Sequence, residues 1–512
     1  MNANSKMIVN TGIMYTRVVL TMGVTLLSSR WVLMALGEED YGIYILVAGV
    51  LAMLSFLNVT MASSTQRFLS YSLGKGDEKE LNSVFNLSCR LHLIIGLLVL
   101  VLFEVVGSFL LDRILQIPIG KESDAIFVLH SLSISMFIAV VTVPYNASLI
   151  AHENMLFVAV VQISEALQKL VVAYILLYYS GVRIRLYAVC MMIIPVISNT
   201  IYIIYCNKKY AETKISLKST MRSDILKDFA SYTSWNLIGG ISHLFKVQGI
   251  AMLLNTFMGV VINAAFGIAS QINSQLQFFS STIVTATKPQ IVKSEGMGNR
   301  TRMLQVSVTT CKLTFLMLAV LVAPFITECD YILNIWLKEV PNYTVQFAQL
   351  FLVTSLIRQL YTGVSIGIES VGSIKYLQIF VGGLHFLVLP VGYILLKLDQ
   401  GTFSIFYMLI CEETLCLIIT ILISKCVTGL DSVKFVKKCI CPCIFTFLVI
   451  LTFCLVIRNF FVNPLLRVIF ECGISIVVMV ILSYLIVLNN KEKSLVNRYV
   501  SRFVNLLKFL PK

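Results

Sequence analysis

Fourteen apolar runs, each long enough to cross a bilayer, dominate this chain and leave little room for anything else. They fall at about 8–36, 41–65, 84–111, 125–151, 155–179, 185–206, 229–258, 260–286, 304–327, 343–368, 374–396, 402–424, 439–457 and 465–488. A spanning helix uses ~20 apolar residues. Over 512 residues such helices consume more than half the chain, and the connections between them are too short for a separate soluble domain. Composition agrees, since 58% of residues are hydrophobic and 13% charged, against roughly 45–50% and about 25% in soluble chains. The expectation is an all-α polytopic membrane protein.

The excess of basic residues, 40 Lys and Arg against 26 Asp and Glu, gives a net charge of +14. In a soluble protein that would point to nucleic acid. Here it orients the chain instead. Assigning loops alternately to the two sides puts most Lys and Arg with the N-terminus, 66–83, 207–228, 287–303, 369–375, 425–438 and the C-terminal tail. Basic loops stay in the cytoplasm, so both termini are expected there and no nucleic-acid partner is expected. No cleavable leader is visible, because the first apolar run continues as a full span. The 13 cysteines suggest no metal site: the group Cys439, Cys441 and Cys443 lacks zinc-ligand spacing and a nearby His. No phosphate-binding glycine loop occurs, so ATP hydrolysis by this chain is excluded.

An internal repeat organises the spans. At an offset of 222, Gly37 aligns with Gly259, Leu54 with Leu276, Phe56 with Phe278, Thr60 with Thr282 and Thr65 with Thr287. The register continues through Gly74 with Gly296, Gly76 with Gly298, Val84 with Val306, Cys89 with Cys311 and Leu91 with Leu313. Six spans separate the copies, so the repeat is parallel, a transporter architecture with its binding site expected between the halves near mid-depth. The division is then 1–206 as the N-lobe (spans one to six), 207–228 as a basic cytoplasmic linker, 229–424 as the C-lobe (spans seven to twelve), 425–488 as an appended pair of spans, and 489–512 as a cytoplasmic tail. In that tail Leu495, Tyr499, Phe503, Leu506 and Leu510 recur at helical spacing among Arg and Lys. Such a pattern suits an interfacial helix on anionic inner-leaflet lipids.

Ionisable residues inside spans mark candidate sites, because one at the bilayer centre costs about 2.5–3.5 kcal/mol and needs a polar cavity or a partner. Arg17 lies well inside span one and Arg30 about 20 Å further along. Lys246 sits near mid-depth in span seven, with His243 one turn earlier. Cationic cavity residues and structural ion pairs are both open readings for these positions, and His243 could equally be an interior histidine. Glu165 and Glu104 are candidate coupling carboxylates, Glu165 also being placed for an i,i+4 pair with Lys169. Glu369, Glu412, Glu413 and Glu471 are further interior acids without a motif, and Glu412-Glu413 and Glu471 rank below Glu165 as cavity residues. Arg358 has no evident partner. Arg90 and Lys312 lie near span ends, from which they could snorkel to the interface.

Three blocks resemble a known family. The run Ser29-Arg30-Trp31-Val32-Leu33 with Leu36-Gly37 and Asp40-Tyr41-Gly42-Ile43-Tyr44 is the first. Ala62-Ser63-Ser64-Thr65-Gln66-Arg67-Phe68 with Leu73-Gly74-Lys75-Gly76-Asp77 is the second, and Pro144-Tyr145-Asn146-Ala147-Ser148-Leu149-Ile150-Ala151-His152-Glu153 is the third. Together they resemble the polysaccharide flippases, of the O-antigen type, in the multidrug, oligosaccharidyl-lipid and polysaccharide exporter superfamily. The match covers about the first 160 residues. It implies a V-shaped, two-lobe transporter with the MATE-like fold, resident in the bacterial inner membrane. The implied substrate is an undecaprenyl-diphosphate-linked oligosaccharide, moved outward by alternating access for O-antigen, capsule or exopolysaccharide synthesis. A diphosphate would suit the cations Arg17, Lys246 and Arg30. A proton or sodium gradient is the suspected drive, no cofactor is expected, and the glycan polymerase machinery is a possible partner. The competing readings are a cation-coupled, MATE-like drug exporter and a membrane oligosaccharide polymerase or ligase.

Overall fold

The computed structural model describes residues 3–113, 117–118, 120–214, 223–337, 340–490, 492–494 and 497. Among them the secondary structure is helical throughout. The first helix, α1 (Ala3–Lys75), is broken at Gly37, whose backbone (φ 76, ψ 174) only glycine adopts readily. Then come α2 (Glu78–Arg113), α3 (Glu122–Val141), α4 (Val143–Ala151), α5 (Met155–Tyr178), α6 (Arg183–Lys209), α7 (Ser223–Met258), α8 (Val260–Gly296) and α9 (Arg300–Thr327). The chain continues through α10 (Cys329–Leu337), α11 (Thr344–Val371), α12 (Lys375–Lys397), α13 (Ser404–Thr428), α14 (Ser432–Phe460) and α15 (Pro464–Val487). Most of the tail expected to be amphipathic, and residues 215–222 of the basic linker, lie outside the described residues.

Among the described residues, twelve helices are long and apolar enough to cross a membrane. Of the fourteen expected runs, 260–286 is not among them, and neither is 41–65, of which the side chains of 50–56 lie outside the described residues. Both are helical all the same, and they are repeat mates at the 222 offset. For 260–286 the reason is legible in α8, where Asn263, Ser270, Gln271, Asn273, Ser274, Gln275 and Gln277 dilute the apolar side chains. The outer surface of the crossing helices is inverted relative to a soluble fold. Along α15 the buried residues include Glu471 and Ser475 while Ile469, Phe470, Ile476, Val477 and Val480 are exposed. Apolar faces of this kind suit hydrocarbon.

The repeat predicted at offset 222 is present in the backbone. Gly37 and Gly259 are both left-handed (φ 76 and 82), as are Gly76 and Gly298 (φ 73 in each). After each Gly-x-Gly a helix begins at matching positions, Glu78 and Arg300. Its start is capped the same way: Asp77 Oδ1 accepts from the Glu80 N–H at 2.9 Å, and Asn299 Oδ1 from the Arg302 N–H at 3.0 Å. Gly74 and Gly296 pack against each other's helices. A Cβ at Gly74 would stand 2.3 Å from the Lys293 carbonyl oxygen, and one at Gly296 2.3 Å from that of Tyr71.

The chain forms two compact units. Unit one comprises Met1–Ser242, Thr285–Met303 and Glu369–Gln378, and unit two comprises His243–Val284, Leu304–Ile368 and Ile379–Lys512. Unit one is packed around Phe68, Phe85, Leu149 and Phe229, with a second cluster around Val32, Phe103, Leu129 and Leu176. Unit two has one cluster around Phe315, Leu318 and Leu356 and another around Leu254, Phe266, Phe347 and Phe406.

Candidate functional site

In unit one, Arg17 projects from the first half of α1 toward α5. Its Nη1 donates to Gln162 Oε1, while its Nε is buried with no hydrogen-bond partner. No carboxylate pairs with it among the described residues. The nearby acid Glu165, held out from sequence as a coupling candidate, is taken by Lys169 at 2.7 Å, one turn along α5. Arg17 is therefore a half-buried cation that, among the described residues, is held by an amide and by no carboxylate. Arg30 is exposed and meets no carboxylate among the described residues. Glu104 pairs with His130 Nδ1 at 2.7 Å in a partly exposed position. A groove of about 360 Å³ between α5 and α6 is lined by Ser164, Leu167, Gln168, Val172, Cys190 and Ile194, and none of the sequence-derived site residues lines it.

The third motif block forms a tie point in the same unit. Glu153, left-handed at φ 59, is buried and accepts from Lys293 Nζ at 3.0 Å and Gln290 Nε2 at 3.1 Å, with Lys6 at 3.8 Å. Asn10 donates to the Glu153 carbonyl at 3.1 Å. Next to it His152 stacks on Tyr210 at 4.0 Å and meets Glu212 at 2.5 Å. Burial pushes the Glu212 carboxyl up, yet the His152 bond and a backbone bond outweigh it, and the group is held below the usual carboxylate range. Lys288 bridges Ser63 Oγ (2.7 Å) and Glu369 (3.0 Å), and the buried Arg67 donates to the Ser370 carbonyl at 3.0 Å while lying over the rings of Phe68, Tyr71 and Tyr232.

Unit two holds a denser arrangement. Lys246 of α7 is buried, and its Nζ donates to Glu412 and, at 2.9 Å, to Glu413. Glu413 also accepts from Arg358 of α11 and from Tyr361 Oη at 2.8 Å. Glu412 Oε1 meets His385 Nδ1 of α12 at 2.6 Å and Cys416 Sγ at 3.4 Å. His243 completes the group, its ring 5.8 Å from that of His385. Two formal cations face two formal anions here. In a buried setting the whole set is interdependent, because removing one member strands the charge of another.

Sequence reasoning placed Lys246 and His243 together correctly as neighbours on one helix but missed Arg358, Tyr361, His385, Glu412 and Glu413 as their partners. Glu412 and Glu413 were ranked below Glu165, and Arg358 had no partner assigned. The only available signal was a surplus of buried charge, since Lys246 and Glu412 stand 166 positions apart. One reading is corrected. Lys312 does not snorkel: it is fully buried and donates to the Val487 carbonyl at 2.8 Å and to Glu492 at 3.2 Å. Its ammonium thus finds its acceptors inside the protein, a carbonyl at the end of α15 and a carboxylate just beyond it.

No family model and no curated protein sequence matches the chain. Its fold, by contrast, is well represented among solved structures. A MATE protein in complex with MaL6 aligns with a TM-score of 0.72 at 16% identity, over 84% of this chain and 97% of the other. An outward-facing multidrug resistance MATE family transporter of the MOP superfamily gives 0.72 at 16% identity, over 84% and 96%. A MOP superfamily transporter from Pyrococcus furiosus, described as having a binding pocket of reverse polarity that suggests a different function, gives 0.70 at 16% identity, over 84% and 96%. The chain therefore shares the fold of these MATE transporters.

Proposed function

We propose that this protein is a membrane transporter, rather than an enzyme, that moves an anionic lipid-linked cargo, an undecaprenyl-diphosphate-linked oligosaccharide, across the bacterial inner membrane by alternating access. The observation that carries the reading is Arg17, a half-buried guanidinium well inside a span, bound to an amide and, among the described residues, to no carboxylate. A buried cation without a counter-ion is costly unless a ligand supplies the anion. A diphosphate does so with oxygens that fit the guanidinium fork. Interior acids, which an organic cation would need, are mostly occupied: Glu165 by Lys169, Glu369 by Lys288, and Glu412 and Glu413 by Lys246 and Arg358. Glu471, which accepts from Thr327 and keeps one oxygen unpartnered, is the exception. A pocket of altered polarity has a precedent on this fold in the P. furiosus transporter.

In this reading both termini face the cytoplasm, the tail lies on anionic lipid, and the gradient of a proton or of sodium drives the cycle without a resident cofactor. The second reading, a multidrug exporter, is favoured by the solved multidrug MATE transporter of the same fold. Lipid extraction from a deletion strain separates the two. A flippase deletion accumulates the diphosphate-linked repeat unit and loses surface glycan. Unchanged lipid-linked sugars together with new sensitivity to cationic dyes would overturn the anionic reading.

A further inference from the structure

We propose that His385, Glu412 and Cys416 form a binding site for a thiophilic divalent cation of the zinc class. One nitrogen, one carboxylate oxygen and one sulfur, each a ligand atom, lie within 4.8 Å of one another. They come together because Cys416 follows Glu412 by one turn on α13 while His385 reaches across from α12. The two groups converge on a single oxygen, Glu412 Oε1, from 2.6 Å and 3.4 Å. That convergence brings a nitrogen, an oxygen and a sulfur donor to one point. All three residues are buried, Cys416 fully.

The donor set selects the ion. Imidazole, carboxylate and thiolate together suit zinc or cobalt and exclude magnesium and calcium, which take oxygen ligands. Binding releases the Cys416 S–H proton to solvent and shifts the imidazole from the Nδ1–H form, which donates to Glu412, to the Nε2–H tautomer, so that Nδ1 can ligate. The ring of His243, 5.8 Å from that of His385, is a candidate fourth ligand.

Lys246 makes the site conditional. Its ammonium holds the other oxygen of Glu412, and it also has Glu413 at 2.9 Å. A metal at Glu412 therefore competes directly with Lys246, which then keeps only the Glu413 that it shares with Arg358. Removing the ammonium, in Lys246→Met, should tighten zinc binding about tenfold, as loss of one nearby like charge does at short range.

The test uses the full chain purified in detergent and stripped of metal. Cobalt titration should give a near-ultraviolet thiolate-to-metal absorption band saturating at one ion per chain and bleached by zinc. Cys416→Ser should lack the band, and Lys246→Met should saturate at lower cobalt. In the unmodified protein, zinc should also protect Cys416 from alkylation, read by mass spectrometry of its peptide, which needs no variant to fold. Absence of the band, its persistence in Cys416→Ser, or equal alkylation of Cys416 with and without zinc would each overturn the proposal.

Discussion

Arg17 in unit one and Lys246 in unit two are both cations deep in spans of the two repeat copies, and the protein treats them in opposite ways. Lys246 is enclosed by two carboxylates that are themselves held by Arg358, Tyr361 and His385. Arg17 has one amide and an unpartnered Nε. A neutralised cluster holds helices together, whereas a cation left uncompensated has affinity to offer to something else. Formal charge within a span is thus a poor guide to function until its counter-ions are known.

The sharpest way to break this comparison is through Glu413. Glu413→Ala leaves both Lys246 and Arg358 short of a partner and should destabilise unit two by about 3–5 kcal/mol, seen as a fall in the detergent unfolding midpoint and in yield. Replacing the pair Lys246→Met and Glu412→Gln together should cost far less than either charge removed alone, because nothing is then left uncompensated. Equal costs for the single and double variants would dissolve the contrast.

Arg17→Ala should behave in the opposite sense. Stability stays near wild type, while transport falls roughly 10- to 100-fold, the worth of about 1.5–3 kcal/mol for hydrogen bonds to a charged group. Arg17→Lys should retain part of the activity, since a point charge replaces the fork. Surface glycan measured at matched membrane levels decides it, and wild-type glycan in Arg17→Ala would remove this residue from the site.

Where the two copies agree rather than differ, substitutions should agree too. Gly76→Ala and Gly298→Ala place a Cβ on the same left-handed backbone (φ 73), so each should cost about 1 kcal/mol, and by similar amounts in thermal unfolding. A smaller effect is expected at the His152–Glu212 pair. Its carboxyl is held below its ordinary value in the folded chain, so its contribution is present above the unfolded value and lost as pH falls through the folded one. Amide exchange over 206–214 should therefore accelerate only below about pH 4. Exchange that does not respond to acid would remove the Glu212 carboxylate from this contact.

The sequence carried the architecture because hydropathy and glycine placement are local signals. The helix breaks at Gly37 and Gly259, the starts at Glu78 and Arg300, and the Asp77 and Asn299 caps all follow from short stretches of chain. Of the candidate site, Arg17, Lys246 and His243 were visible as charge or imidazole in apolar surroundings. Their partners were not. Whether a buried cation is free or satisfied depends on residues such as Gln162 and Glu413, 145 and 167 positions away, and nothing in a single sequence records those pairings. The missed burial of Lys312 has the same origin, because Glu492 meets it from the far end of the chain.

The paired glycine turns have a consequence for descent. The two copies keep one backbone at their junctions while their interiors have drifted, down to a full set of opposing charges around Lys246 and none against Arg17. A duplicated gene constrained at its bends and free in its middles can let one half specialise in cohesion and the other in chemistry without either losing its shape. Descendants of such an ancestor would diverge in cargo much faster than in fold.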